Sequence, residues 1–264
     1  MSATPPTPAK LVVSLKSTVP LEASYFETKT VELSVTNVSA DILLIDSVTL
    51  QFEPDTGAAP NYVDSFHGLR LEPTKSGHIA VDVRPMPLFK ETTNQFKVRF
   101  KCHCESGGRL HSPFAEQHGG FYMIINPPTT LLGDVFISFK QPEDQRLANI
   151  LERYARRAGF IPHLFMRDPR LGANQWKNIE KLIKSSHSTF IVWALRTEWG
   201  DGVGKEIELC RKHNVRELLL IEEGVELPEL YKDTKATYRR FDPSDPAMAF
   251  SEATRSLHDQ VVTK

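Results

Sequence analysis

The sequence predicts two domains, an antiparallel β-sandwich followed by an α/β domain built on a five-stranded parallel sheet, and three observations carry that prediction. Apolar residues alternate with period two from Lys10 to about Asn126, the signature of strands with one face buried. The stretch "NPPTTLLG" then interrupts the pattern with two adjacent prolines. Beyond it, short continuous apolar runs are each followed by a helical stripe, which is how parallel strands and their crossover helices read. The 264 residues exceed one average domain and suit two.

Within the first half, "LVVSLKS", "TVELSVTNV", "DILLIDSVTLQFEP", "HIAVDVRP", "NQFKVRFKC" and "GFYMIIN" read as strands. The turns between them, "NVSAD", "PDTGAAPN", "EPTKSG" and "CESGGRLHSP", carry the Gly, Pro, Asn or Ser that tight turns need. About seven short strands without an intervening helix predict an antiparallel sandwich over 10–126, immunoglobulin-like or arrestin-like in general look. The Cys…Trp…Cys spacing of antibody domains is absent. Residues 1–9, "MSATPPTPA", read as a disordered polar tail without the apolar core of a signal peptide.

Residues 127–132 form the expected linker and 133–264 the second domain. "DVFISFK" suits a strand buried on both faces, and "PEDQRLANILERYARRAGF" puts Leu147, Ile150, Leu151 and Tyr154 on one helical stripe before a Gly stop. The alternation recurs. "IPHLFMRD" precedes "NQWKNIEKLIKSS", "STFIVWAL" precedes "GKEIELCRKHN", "ELLLIEEG" precedes "PELYKD", and "ATYRRFD" precedes "PAMAFSEATRSLHDQVV". Five such pairs predict a flavodoxin-like parallel sheet flanked by helices.

Charge excludes some functions. With 32 Lys+Arg against 33 Asp+Glu, no long-range pull toward nucleic acid or an anionic membrane is expected. No apolar run reaches the roughly 18 residues of a membrane span, so a cytoplasmic protein is expected. Three cysteines do not make a disulfide framework. In "KCHCESGGRLH", Cys102 and Cys104 share one strand face while His103 points away and His111 lies beyond, so the ligands do not converge and no metal is expected.

One motif invites a phosphate-binding reading. "WGDGVGKEIELC" has three glycines and a Gly204-Lys205 pair. A Walker loop needs Gly five positions before Gly204, where Trp199 stands, and Ser or Thr after the lysine, where Glu206 stands. A carboxylate there repels phosphate. The glycines read instead as an extended, mobile approach that delivers Glu206 to a helix N-terminus.

These features in their order resemble the TIR (Toll/interleukin-1 receptor) domain family. "DVFISFKQPEDQR" resembles the first strand and loop, "GFIPHLFMRDPRLGANQWKNIEKLIKSS" the second strand, BB loop and helix, and "FIVWALRTEW" the third strand and the loop leaving it. "GVGKEIELCRKHNVRELLLIEEG" resembles the segment that presents the catalytic glutamate in NAD-cleaving members. The likeness spans 133–262. Two departures stand out. Family members often carry Trp four before the glutamate, where this chain has Gly202, with Trp199 seven before; and the third strand ends Trp193-Ala194-Leu195 rather than in Ser.

The resemblance implies an NAD+ glycohydrolase or ADP-ribosyl cyclase of bacterial antiphage immune signalling, activated by self-association, with NAD+ as substrate and no cofactor. Glu206 is the expected catalytic residue, a carboxylate for a ribosyl cation. Phe139 and Lys140 are expected to meet the nucleotide, as are Arg167 and Asp168 at the end of the second strand, and Trp199 to close over a base. Pro169, Arg170, Leu171 and Gly172 would lie in a BB loop that mates with a neighbouring copy. The sandwich would receive an unknown trigger or partner. The alternative is a non-catalytic TIR adaptor acting through protein contacts.

Overall fold

The structure is a computed structural model that describes residues 10–16, 21–52, 61–105, 116–118, 121–164, 172–194, 201–232 and 237–263. The chain divides into two compact units, one formed by the strands up to Asn126 and one by Pro127–Lys264 together with the short segment Met86–Leu88.

Nine strands make up the first unit: β1 (Lys10–Leu15), β2 (Leu21–Ser24), β3 (Lys29–Asn37), β4 (Leu43–Phe52), β5 (Asn61–Leu71), β6 (Ser76–Val83), β7 (Thr93–Cys104), β8 (Glu116–His118) and β9 (Phe121–Asn126). They form a four-stranded sheet, β6-β3-β1-β8, and a five-stranded sheet, β2-β9-β7-β4-β5. Each sheet buries one row of apolar side chains, as a β-sandwich requires. Val31, Leu33 and Val35 do so on β3, and Phe96, Val98 and Phe100 on β7. Phe96 stacks on Phe121 with ring centroids 4.8 Å apart.

The expected purely antiparallel arrangement is corrected at two places. β1 pairs parallel with β8, and β2 pairs parallel with β9. Both pairings join strands about a hundred residues apart, and such partners leave no trace in local alternation. The inward Cys102 and Cys104 and outward His103 follow the strand period, and His103 Nδ1 lies 3.1 Å from Asp46.

The second unit runs β10 (Gly133–Ser138), α1 (Gln145–Arg157), β11 (Phe160–Leu164), α2 (Gly172–Ser185), β12 (Ser188–Trp193), α3 (Asp201–Lys212), β13 (Arg216–Glu222), α4 (Glu229–Lys232), β14 (Thr237–Phe241) and α5 (Ala247–Val262). All strand pairs of its sheet are parallel, in the order β11-β10-β12-β13-β14. That is second-first-third-fourth-fifth, the doubly wound order whose ligand crevice lies at the carboxyl ends of the strands, where the winding reverses between β10 and β12.

Leu147, Ile150, Leu151 and Tyr154 of α1 are buried as the stripe predicts, and Gly159 follows at φ 89°, a left-handed backbone that favours glycine. Side chains alternate along β10. Phe136 faces α2 and α3, packing with Ile179, Ile183 and Cys210, and Ser138 shares that face. No described helix is long and apolar enough to cross a membrane.

Candidate active site

Glu206 belongs to the third helix, as the sequence predicts, but in its second turn rather than at its start. α3 begins at Asp201 and takes Gly202 and Gly204 into its first turns, so the extended glycine approach is corrected to helix. Val203, Ile207 and Cys210 are buried at the i, i+4, i+7 spacing of a helix face. That face, with Asp201 as an acidic first-turn residue, offsets the roughly 1 kcal/mol each glycine costs in a helix interior.

This placement takes Glu206 away from the positive end of the α3 dipole. The helix dipole fades beyond the first turn. In its place, Ser138 Oγ donates a hydrogen bond to Glu206 Oε2. Ser138 is 1% exposed and Glu206 2% exposed, and 68 residues of chain separate them. The bond joins the last residue of β10 to α3 beside the reversal point of the sheet. Sequence reasoning missed Ser138, although a hydroxyl at the end of an otherwise apolar buried run had to find a polar partner.

One turn beyond Glu206, the Cys210 thiol is pushed up to about 12, chiefly by burial and further by the charges of Glu217 and Glu206, against a hydrogen bond to Thr189. Its Sγ lies 3.2 Å from Thr189 Oγ1. This cysteine is an unreactive core residue. Lys205 is exposed, and its Nζ sits 5.3 Å from the centroid of the Trp176 ring. Trp176 is half-buried against the cluster containing Phe136, and Trp193 against the one containing Ile191 and Ile207.

The other expected site residues divide. Phe139 follows β10 and is buried, so its ring is part of the packed interior and presents no open wall to a nucleotide in this conformation. Lys140 is half-buried and lies 3.7 Å from Glu143, in a short turn where the amide of Asp144 donates to the Lys140 carbonyl at 2.9 Å. Gly172 is the first residue of α2. Arg167, Asp168, Pro169, Arg170, Leu171 and Trp199 lie outside the described residues. Among the described residues no group of His, Cys, Asp and Glu could hold a metal ion.

A carboxylate removed from bulk water exerts a stronger field than an exposed one. In its ionised form, a carboxylate at this position can stabilise a positive charge brought to the same edge of the sheet.

No protein-family model matches the sequence, and no curated protein matches it. Among solved structures, similar folds include a β-glucosidase from Listeria innocua at 13% identity and TM-score 0.27, over 45% of this chain and 16% of that one. The sporulation control protein Spo0M from Bacillus subtilis is similar over 46% of this chain and 51% of its own, at 11% identity and TM-score 0.28. The ApaA protein from Bordetella pertussis is similar at 16% identity and TM-score 0.31, over 48% of this chain and all of its own. These likenesses are partial and say nothing of activity.

Proposed function

We propose that the chain is a TIR-type enzyme that cleaves the nicotinamide–ribose bond of NAD+, as a glycohydrolase or an ADP-ribosyl cyclase in bacterial immune signalling. The observation that carries this reading is the Glu206 carboxylate, tied by Ser138 to the carboxyl end of β10 next to the reversal point of a doubly wound sheet. Cleavage of the N-glycosidic bond sends its electron pair to nicotinamide, which leaves as a neutral base without a general acid. The remaining ribosyl cation needs a nearby negative charge, which Glu206 supplies. Water then attacks the anomeric carbon and releases a proton to solvent to give ADP-ribose, or a ring atom of the adenine attacks to give a cyclic product.

Glu206 is 2% exposed, so turnover requires a conformation in which the carboxylate meets substrate. That requirement fits activation by self-association, with the β-rich unit receiving the trigger. The test is nicotinamide release from NAD+ by the full chain, dilute and concentrated, beside Glu206→Gln. Concentration-dependent release that Glu206→Gln abolishes supports the proposal. No release at any concentration, or release that survives Glu206→Gln, defeats it.

The same burial favours a second reading, a non-catalytic TIR adaptor in which the Ser138–Glu206 pair only ties a helix to its sheet. For that reading, the expected result is self-association without NAD+ turnover.

A further inference from the structure

We propose that Ser138 is a positioning residue, whose hydroxyl fixes the orientation of the Glu206 carboxylate for the bond-breaking step. This rests on the reading of Glu206 as the catalytic carboxylate. Both side chains are buried, so ordered protein groups rather than bulk water determine how the carboxylate is turned. A hydroxyl donating to a carboxylate makes a charge-assisted bond, about twice as strong as a neutral one. Here it engages Oε2 specifically, which restricts rotation about the last side-chain bond of Glu206.

The local sequence shows why a serine at this place is informative. Val135, Phe136 and Ile137 precede it in β10 and are all buried apolar residues. An alanine or valine would continue that run at no desolvation cost, whereas a buried hydroxyl without a partner is costly. On α3, the other buried residues, Val203, Ile207 and Cys210, are apolar or nearly so. Two apolar side chains could pack this contact, and replacing a buried polar pair in that way is often neutral or stabilising. Packing alone therefore does not call for this pair. Precise aim of a carboxylate at a developing cation does, because displacements of about 1 Å in a reacting group can cost on the order of a hundredfold in rate.

Ser138→Ala removes one oxygen and introduces no clash. In the full chain, nicotinamide release by Ser138→Ala is expected to show kcat lowered by about 10- to 100-fold with KM within about threefold of wild type, the mark of an interaction lost in the transition state. A second measurement does not depend on turnover. Ser138→Ala should lower the thermal midpoint of the wild-type background, yet leave it unchanged or raise it in a Glu206→Leu background, where the hydroxyl has lost its acceptor.

Active wild type with Ser138→Ala keeping kcat within about threefold overturns the proposal alone. So does a midpoint shift of equal sign and size in both backgrounds, which identifies a packing defect instead of a lost bond. Wild type that releases no nicotinamide in any state overturns the assignment of Glu206, and the role of Ser138 with it. Should Ser138→Ala fail to fold, Ser138→Cys keeps the volume with a weaker donor. Its kcat must then fall at least about fivefold at unchanged KM, and a smaller fall overturns the proposal.

Discussion

The buried Asn37 and Asn94 of the β-rich unit and the buried Glu206 of the α/β unit are held in opposite ways. In the β-rich unit, Asn37 donates through Nδ2 to the carbonyls of Asp41 and Leu71 at 2.8 and 2.9 Å, and its Oδ1 accepts from the Ser39 amide at 2.9 Å. Asn94 closes on Lys90 and Thr92 in the same manner. Both are neutral amides, and most of their partners are backbone groups within a few residues, which is how a loop is locked. In the α/β unit, the buried Glu206 is ionisable and its Ser138 partner is a side chain on a distant strand. Neutral amides serve turns at little electrostatic cost. A buried carboxylate is expensive, and the place where a fold bears that expense is where chemistry is to be sought.

The largest effect expected from this contrast is on turnover. Glu206→Gln keeps the shape and can still accept from Ser138, but it cannot ionise. NAD+ cleavage should fall by at least about a hundredfold, while far-ultraviolet circular dichroism and the thermal midpoint stay close to wild type. A large loss of helix or a much lower midpoint would instead put Glu206 beside Asn37 as a scaffold residue.

For Asn37→Ala the order reverses, with stability lost through one buried and two part-buried backbone groups left without their side-chain partner. At about 1–3 kcal/mol for each orphaned group, partly offset by water, a net loss of about 2–4 kcal/mol is expected. Urea denaturation followed by intrinsic fluorescence measures it. A loss below about 0.5 kcal/mol would mean that the β3–β4 turn does not depend on this side chain.

Much of this architecture is legible in the sequence, and the failures share a cause. The α1 stripe, the Gly159 stop and the alternation of β7 are local periodicities, and each appears where the sequence predicts it. Three strands escape that kind of reading. β2 has 4 residues and β8 has 3, too short to show a period. β5 carries Asp64, His67 and Gly68 where alternation would call for other residues, and its register with β4 shifts between Ile45 and Ser47. Around Glu206, Gly202 and Gly204 read as helix breakers because local propensity ignores the buried face of Val203, Ile207 and Cys210. The need of Ser138 for a polar partner is legible, but the partner's identity is not, because it lies on a helix that the chain builds only 68 residues later.

Backbone strain offers an intermediate test in the α/β unit. Gly133 opens β10 at φ 115°, and a Cβ there would meet His187 Nε2 at 2.5 Å. The exposed His187 ring can swing away, but the backbone angle remains unsuited to an L side chain. Gly133→Ala should cost about 1–3 kcal/mol, measured by chemical denaturation. Since β10 also carries Ser138, a fall in kcat larger than the unfolded fraction explains would show that the start of the strand sets the aim at its end.

The smallest effect expected is at the surface, where a carboxylate is held by charge without being buried. Glu180 accepts from Lys212 Nζ at 2.7 Å and from His213 Nε2 at 2.8 Å, linking α2 to the end of α3. Those bonds, Lys212 first and then His213, hold its carboxyl below the usual carboxylate range. A pKa lower in the folded than in the unfolded chain stabilises the fold above the unfolded value of about 4.3. That stabilisation is lost as pH falls from there through the folded value. Glu180→Gln should therefore be slightly less stable than wild type at neutral pH, with the gap closing on acidification below about pH 4 and narrowing in high salt. A gap that stays constant with both pH and salt would mean that Glu180 acts through packing, and the electrostatic contrast would then be confined to Glu206.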